Sequence, residues 1–83
     1  MLVQITDVQV RDGYKLHLRF DDTAEGEVDI SDMISFTGVF APLADRKFFE
    51  SVSIDPTWGT VCWPGNIDLA PEPLYERATG RSR

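Results

Sequence analysis

The sequence predicts a small α+β domain: a mostly antiparallel sheet of about five strands, built from two hairpins, with one or two short helices. Three observations predict it. Tyr14, Leu16, Leu18 and Phe20 alternate strictly with Lys15, His17 and Arg19, the period of a strand with one face buried. A second alternating run follows within a hairpin's reach, Ala24, Gly26, Val28 and Ile30 against Glu25, Glu27 and Asp29. Val52 with Ile54, and Val61 with Trp63, then flank Pro56-Thr57-Trp58-Gly59, a loop with proline first and glycine last.

The elements follow in order. Val3 and Ile5 share one parity and Val8 and Val10 the other, so the first strand is expected to bulge or bend near Thr6–Asp7. Asp12-Gly13 turns the chain into the second strand. An odd-length loop is then needed to keep both apolar faces on one side. A three-residue loop, Asp21-Asp22-Thr23, sets Arg19 opposite Glu25, His17 opposite Glu27 and Lys15 opposite Asp29, so each outward pair joins a base to an acid. Thr23 is the difficult residue, because the last position of such a loop favours glycine. A five-residue loop keeps the register and avoids that conflict.

Ser31 is expected to cap a short helical turn, Asp32–Ser35. Phe36 to Ala41 has no periodicity and stays unassigned. Asp45 is the stronger cap and opens a short helix through Glu50, with Phe48 and Phe49 making apolar contacts. In the closing hairpin, the four-residue loop sets Ile54 opposite Val61, Val52 opposite Trp63 and Cys62 opposite Ser53. Ile67 and Leu69 read as buried after a Pro64-Gly65 turn, and Pro71 and Pro73 frame a short turn carrying Leu74 and Tyr75. The domain is drawn over residues 1–76, with residues 77–83 as a flexible basic tail.

Taken in order, the strand LHLRF with its acidic turn, the segment VDIS, GVFAPLAD followed by FFESV, and the ending WPGNIDLAPEPLY resemble a bacterial family known as domain of unknown function 2442. The resemblance spans residues 3 to 76. It departs at one point: the family turn after the second strand resembles Asp-Gly, whereas this chain has Asp22-Thr23. The resemblance implies a small α+β domain with no accepted enzymatic activity. It also implies that some relatives are the partner half of toxin–antitoxin-type pairs, and that some carry an attached helix-turn-helix domain.

Composition narrows the function further. A chain of 83 residues makes one domain with a thin core, which a partner can stabilise. Net charge is −6, all fourteen acids lie in residues 1–76, and the last seven residues hold three arginines. An acidic body repels phosphate backbones, so direct nucleic-acid binding is not expected. No apolar run approaches the ~20 residues of a membrane span, so no membrane partner is expected. The start MLVQITDVQV lacks a signal-peptide core, which makes a cytoplasmic location the default.

Candidate chemistry is sparse. Asp21, Asp22, Glu25, Glu27, Asp29 and Asp32 are spread along a strand face without calcium-loop spacing, and read as a solvated, paired face. His17 and Cys62 stand alone, too few for an ordinary zinc set, and the hairpin register gives them no reason to meet. No catalytic, cofactor-binding or metal-binding residue is therefore assigned. Candidate interaction residues are Trp58 at a loop tip, Phe36 and Phe40 around an irregular loop, and the acids Glu25, Glu27 and Asp29.

The expected function is a non-enzymatic protein-interaction module whose partner is a second copy or a small basic protein. Masking of a basic partner in the manner of an antitoxin rests on the family resemblance alone. Two alternatives stand beside it: a metal-assisted hydrolase using Asp21, Asp22 and Glu25, and nucleic-acid association through the Arg77–Arg83 tail or a partner.

Overall fold

A computed structural model describes residues 3–81. The α+β expectation holds, but among the described residues six strands divide between two sheets instead of about five sharing one. The first sheet has the order β1-β2-β3, from β1 (Ile5–Val10), β2 (Lys15–Phe20) and β3 (Glu25–Asp29). The second has the order β4-β5-β6, from β4 (Ser53–Asp55), β5 (Thr60–Trp63) and β6 (Ile67–Asp68). Short helices occupy the stretch between the hairpins, and the Ile5 N–H donates across to the Gly59 carbonyl at 2.7 Å. The sixth strand escaped the sequence because it pairs through two residues only.

The first sheet follows its side-chain parity. Ile5 faces Phe20 but Asp7 faces Arg19, so the expected bulge falls at Thr6. Across β2 and β3, Lys15 faces Asp29, His17 faces Glu27 and Arg19 faces Glu25. The shorter loop is the one formed: Phe20 N–H donates to the Ala24 carbonyl at 2.9 Å, around Asp21-Asp22-Thr23. Thr23 therefore adopts φ +71°, a strained conformation for a β-branched residue. The Asp22 carboxylate offsets part of that strain by accepting the Ala24 N–H at 2.9 Å.

Ile5, Leu16, Leu18, Phe20 and Val28 are buried on the inner face. On the outer face Arg19 pairs straight across with Glu25 as expected, whereas His17 reaches diagonally to Glu25 and leaves Glu27 to Arg11. His17 Nε2 lies 2.8 Å from Glu25 Oε1, Arg19 Nη2 3.8 Å from Glu25, and Arg11 Nε 4.0 Å from Glu27. Diagonal neighbours are within reach of long side chains, so register alone does not fix the partner. Such exposed pairs contribute a few tenths of a kcal/mol each, about 0.2–1.

The first helical turn corrects one expectation. Helix α1 (Ile30–Met33) is capped by Asp29 and not by Ser31, with Asp29 Oδ1 accepting the Ser31 N–H at 3.0 Å. The strand ends one pair earlier than the Ser31 cap requires, so Ile30 is already helical. The unassigned segment is a 3-10 helix, Gly38–Ala44, which buries Leu43. Asp45 caps α2 (Arg46–Phe49) as expected, accepting the Lys47 N–H at 3.0 Å. Phe49 is fully buried beside Trp63, whose indole N–H donates to the Phe49 carbonyl at 2.9 Å. That bond attaches the second sheet to α2. The second hairpin has the expected register, Ile54 opposite Val61 and Ser53 opposite Cys62.

The largest correction is at the C-terminal end. A nine-residue helix, α3 (Pro71–Thr79), replaces the proline-framed turn and the start of the flexible tail. Both prolines sit in its first turn, where a missing N–H costs no intrahelical bond. Gly80 closes the helix in the left-handed conformation, φ +72°, with its N–H on the Glu76 carbonyl at 2.8 Å. Leu74 and Tyr75 face the core, where Tyr75 meets Phe20 edge-on at 4.9 Å and donates its hydroxyl to Asp22 Oδ2 at 2.6 Å. Arg77 to Thr79 thus belong to the fold, while Ser82 and Arg83 of the expected tail lie outside the described residues. Among the described residues, no helix is long and apolar enough to cross a membrane.

Two stability changes follow. Thr23→Gly relieves the left-handed strain and is expected to raise the unfolding free energy by about 1 kcal/mol, net of glycine's extra chain entropy. A urea midpoint that stays put or falls would show that the Asp22 bond already removes the strain. Gly26→Ala is expected to do the opposite. A Cβ there would lie 2.0 Å from the Ala78 carbonyl oxygen, so α3 must shift away from β3. A loss of about 2 kcal/mol is expected, and a wild-type urea midpoint would disprove the close contact.

Candidate functional site

Two neighbouring grooves form the most distinctive surface. The first, about 690 Å³, lies between the 3-10 helix and the turn after β5, and is lined by Val39, Phe40, Pro42, Phe48, Pro64 to Asn66, Ile67 and Asp68. The second, about 480 Å³, lies between the β4–β5 loop and the segment entering α3. Its lining includes Thr57, Trp58, Thr60, Asp68 to Glu72, Val3 and Gln4. Asp68 lines both grooves.

Local chemistry fixes this shape. Asp55 Oδ1 accepts the Thr57 N–H at 2.8 Å, and the Gly59 N–H returns to the Asp55 carbonyl at 2.7 Å, which tightens the loop. Gly59, at φ +64°, presses on Gln4 so closely that a Cβ would sit 2.9 Å from the Gln4 side chain. The tip residue Trp58 is left projecting, 69% exposed. Across the groove, Thr60 Oγ1 donates to the Leu69 carbonyl at 2.5 Å and holds the chain entering α3 against β5. Ile67 turns inward opposite Trp63, so the next residue, Asp68, turns out.

Two features set this surface apart. Val39 and Trp58, 73% and 69% exposed, are the large hydrophobic side chains left open to solvent among the described residues, and each borders one groove. Among the described residues, the ionisable groups in the two linings are Asp68 and Glu72, both acids. Neither carboxylate makes a hydrogen bond or ion pair among the described residues.

The residues singled out in the sequence are distributed unevenly. Trp58 stands at the loop tip and lines the second groove, and half-buried Phe40 lines the first. Phe36 lines neither and packs edge-on against Tyr14 at 4.9 Å. Glu25 and Glu27 are engaged with His17, Arg19 and Arg11 on the outer face of the first sheet, and Asp29 caps α1. Those three acids line neither groove.

Asp22, a ligand in the hydrolase alternative, accepts hydrogen bonds at both carboxylate oxygens, from Ala24 and Tyr75. Among the described residues, no group of three or more His, Cys, Asp or Glu side chains is placed to hold a metal ion. Cys62 lies 3.5 Å from Ser53 Oγ, across the second hairpin.

Val39, Asp68 and Glu72 were missed in the sequence. Asp68 was legible from the inward parity of Ile67 and Leu69. Glu72 was hidden by a segment read as a turn, and Val39 by a stretch without periodicity.

The geometry can be set beside known proteins. No curated protein matches the sequence. Among solved structures, the crystal structure of putative DNA binding protein NE0471 from Nitrosomonas europaea is similar, with a TM-score of 0.79 and 25% sequence identity. The match covers 93% of this chain and 49% of that one, so this chain spans about half the length of its structural relative. The family model described as protein of unknown function (DUF2442) matches residues 5–80. The chain therefore belongs to the DUF2442 family, as its strand, loop and WPGNIDLAPEPLY segments suggested.

Proposed function

We propose that this protein is a non-enzymatic interaction module that docks another polypeptide over the two grooves. The observation that carries this reading is the pairing of one exposed large hydrophobic residue with each groove, Val39 with the first and Trp58 with the second. Exposed apolar side chains beside apolar concavities gain free energy when a partner covers them. An 83-residue domain also stands to gain stability from its partner. In its most specific form the partner is a small basic protein, masked as an antitoxin masks its toxin; the acidic lining and the family resemblance favour that form over a second copy.

The DNA-binding description of the structural relative favours a second reading, association with nucleic acid. Arg11, Lys15 and Arg46 line one shallow concavity, and Arg77 and Arg81 lie at the end of α3 and just beyond it. Against it, Arg11 is paired with Glu27, Arg46 with Glu50, and the whole chain is at −6.

One set of measurements separates the readings. Affinity isolation from the native cell is expected to retain a stoichiometric polypeptide on the wild-type chain, and to lose it on the Val39→Ser, Trp58→Ser double variant. Both side chains are exposed, so the variant's melting temperature should match the wild type. Retention by both forms, or by neither at micromolar bait, would reject the docking surface. Duplex DNA is expected not to bind at micromolar concentration. Binding that weakens steeply with salt and disappears in Arg77→Gln, Arg81→Gln would install the second reading instead.

A further inference from the structure

Resting on the docking reading above, we propose that the Trp58 groove is a receptor for a cationic side chain, arginine before lysine, presented by the docked polypeptide between apolar residues. Among the described residues the groove's ionisable lining is Asp68 and Glu72, with no base beside them. Several acids elsewhere are engaged: Glu25 and Glu27 with bases of the first sheet, Asp29 and Asp45 as helix caps, Asp55 in its own loop; Asp7, Asp12 and Asp32 line neither groove. Two carboxylates that no described base neutralises, beside an exposed indole, make a place where a cation gains from both partners. The ring face attracts it through the quadrupole, and the carboxylates attract it by charge.

The remaining lining suits the stem of such a side chain. Leu69, Ala70 and Pro71 give an apolar wall for methylenes while the charged head stays near water. A planar guanidinium stacks on an indole and hydrogen-bonds a carboxylate at once, which favours arginine. An anion is the opposite choice, since the N-terminus of α3 opens here. Pro71 and Pro73 withhold two of the N–H groups that would hold an anion, and Glu72 stands in the same turn. The chain's own Arg77 lines a different concavity, with Met33, Pro73 and Glu76, so it does not occupy the site.

The test uses the full, isotope-labelled chain and two blocked hexapeptides. One has the sequence Leu-Arg-Leu-Leu-Arg-Leu; the other carries citrulline, which keeps the shape and loses the charge, in place of arginine. Binding is read from the Trp58 indole N–H and the backbone amides of Asp68 to Glu72. The arginine peptide is expected to bind at least about tenfold more tightly than the citrulline peptide. That preference is expected to fall to near unity in Asp68→Asn, Glu72→Gln, whose exposed positions leave the rest of the spectrum unchanged. Equal binding of both peptides at Trp58 would overturn cation recognition and leave the docking reading standing. Shifts confined to the Val39 groove would overturn the assignment of this groove and again leave docking intact. No shift in either groove at millimolar peptide would overturn both.

Discussion

The structure depends on one close backbone contact, between Gly26 in β3 and Ala78 in α3. A side chain at Gly26 would overlap the Ala78 carbonyl, so only glycine lets the helix lie on the strand. The contact brings Leu74 and Tyr75 into the core, where each buried side chain contributes about 1.5–3 kcal/mol. It also brings the Tyr75 hydroxyl to Asp22, in the loop that Thr23 strains. The C-terminal helix therefore stabilises the least comfortable turn of the first sheet. Its N-terminal turn, Ala70 to Glu72, in turn forms one wall of the Trp58 groove. Packing at one end of α3 and surface chemistry at the other are linked through nine residues of rigid helix.

A second junction fixes the two sheets to each other. Phe36, Tyr14, Phe49 and Trp63 form a chain of ring contacts, with successive centroids 4.9, 5.2 and 5.8 Å apart. Tyr14, in the turn that enters β2, carries this chain from the first sheet's edge, and its hydroxyl donates to the Ala44 carbonyl of the 3-10 helix. Trp63 closes it from the second sheet through the Phe49 carbonyl. The two tryptophans are thus divided by role. Trp63 is 3% exposed with its N–H satisfied, as a buried indole requires, whereas Trp58 stands in solvent on a loop tightened by Asp55 and Gly59.

What the sequence discloses follows from how local each determinant is. The β2–β3 and β4–β5 registers are set by side-chain parity and loop length, both present in short stretches, and both came out as expected. The three-residue loop formed even though Thr23 disfavours it: Asp22 accepts the Ala24 N–H within the loop, and Tyr75 holds that same carboxylate from α3. Helix α3 was obscured by two prolines that suggest a break. The signal that would have recovered it is their position, proline at the start and Gly80 just past the end. Asp29 as a cap, β6 and the diagonal His17–Glu25 pair depend on where neighbouring elements stop and which side chains reach past their opposite residue, which no local pattern records. The same division holds for the grooves. Trp58 was legible as a loop tip, but the wall facing it comes from a segment ten residues further along the chain.

Net charge is a poor guide to what this protein binds, and the distribution of charge is a better one. A value of −6 by itself fits simple solubility. The outer face of the first sheet is dense in acids, yet it holds Arg11, His17 and Arg19 as well, and its carboxylates are largely neutralised at short range. A partner approaching that face would have to displace existing ion pairs, each of small value, for contacts no better than those lost. Asp68 and Glu72 lose nothing comparable when a cation arrives, because they hold no partner to give up among the described residues. They also lie beside apolar surface, where covering the groove removes water and strengthens any charge pair formed there. The acids least conspicuous in the sequence are therefore the ones best placed to select a ligand.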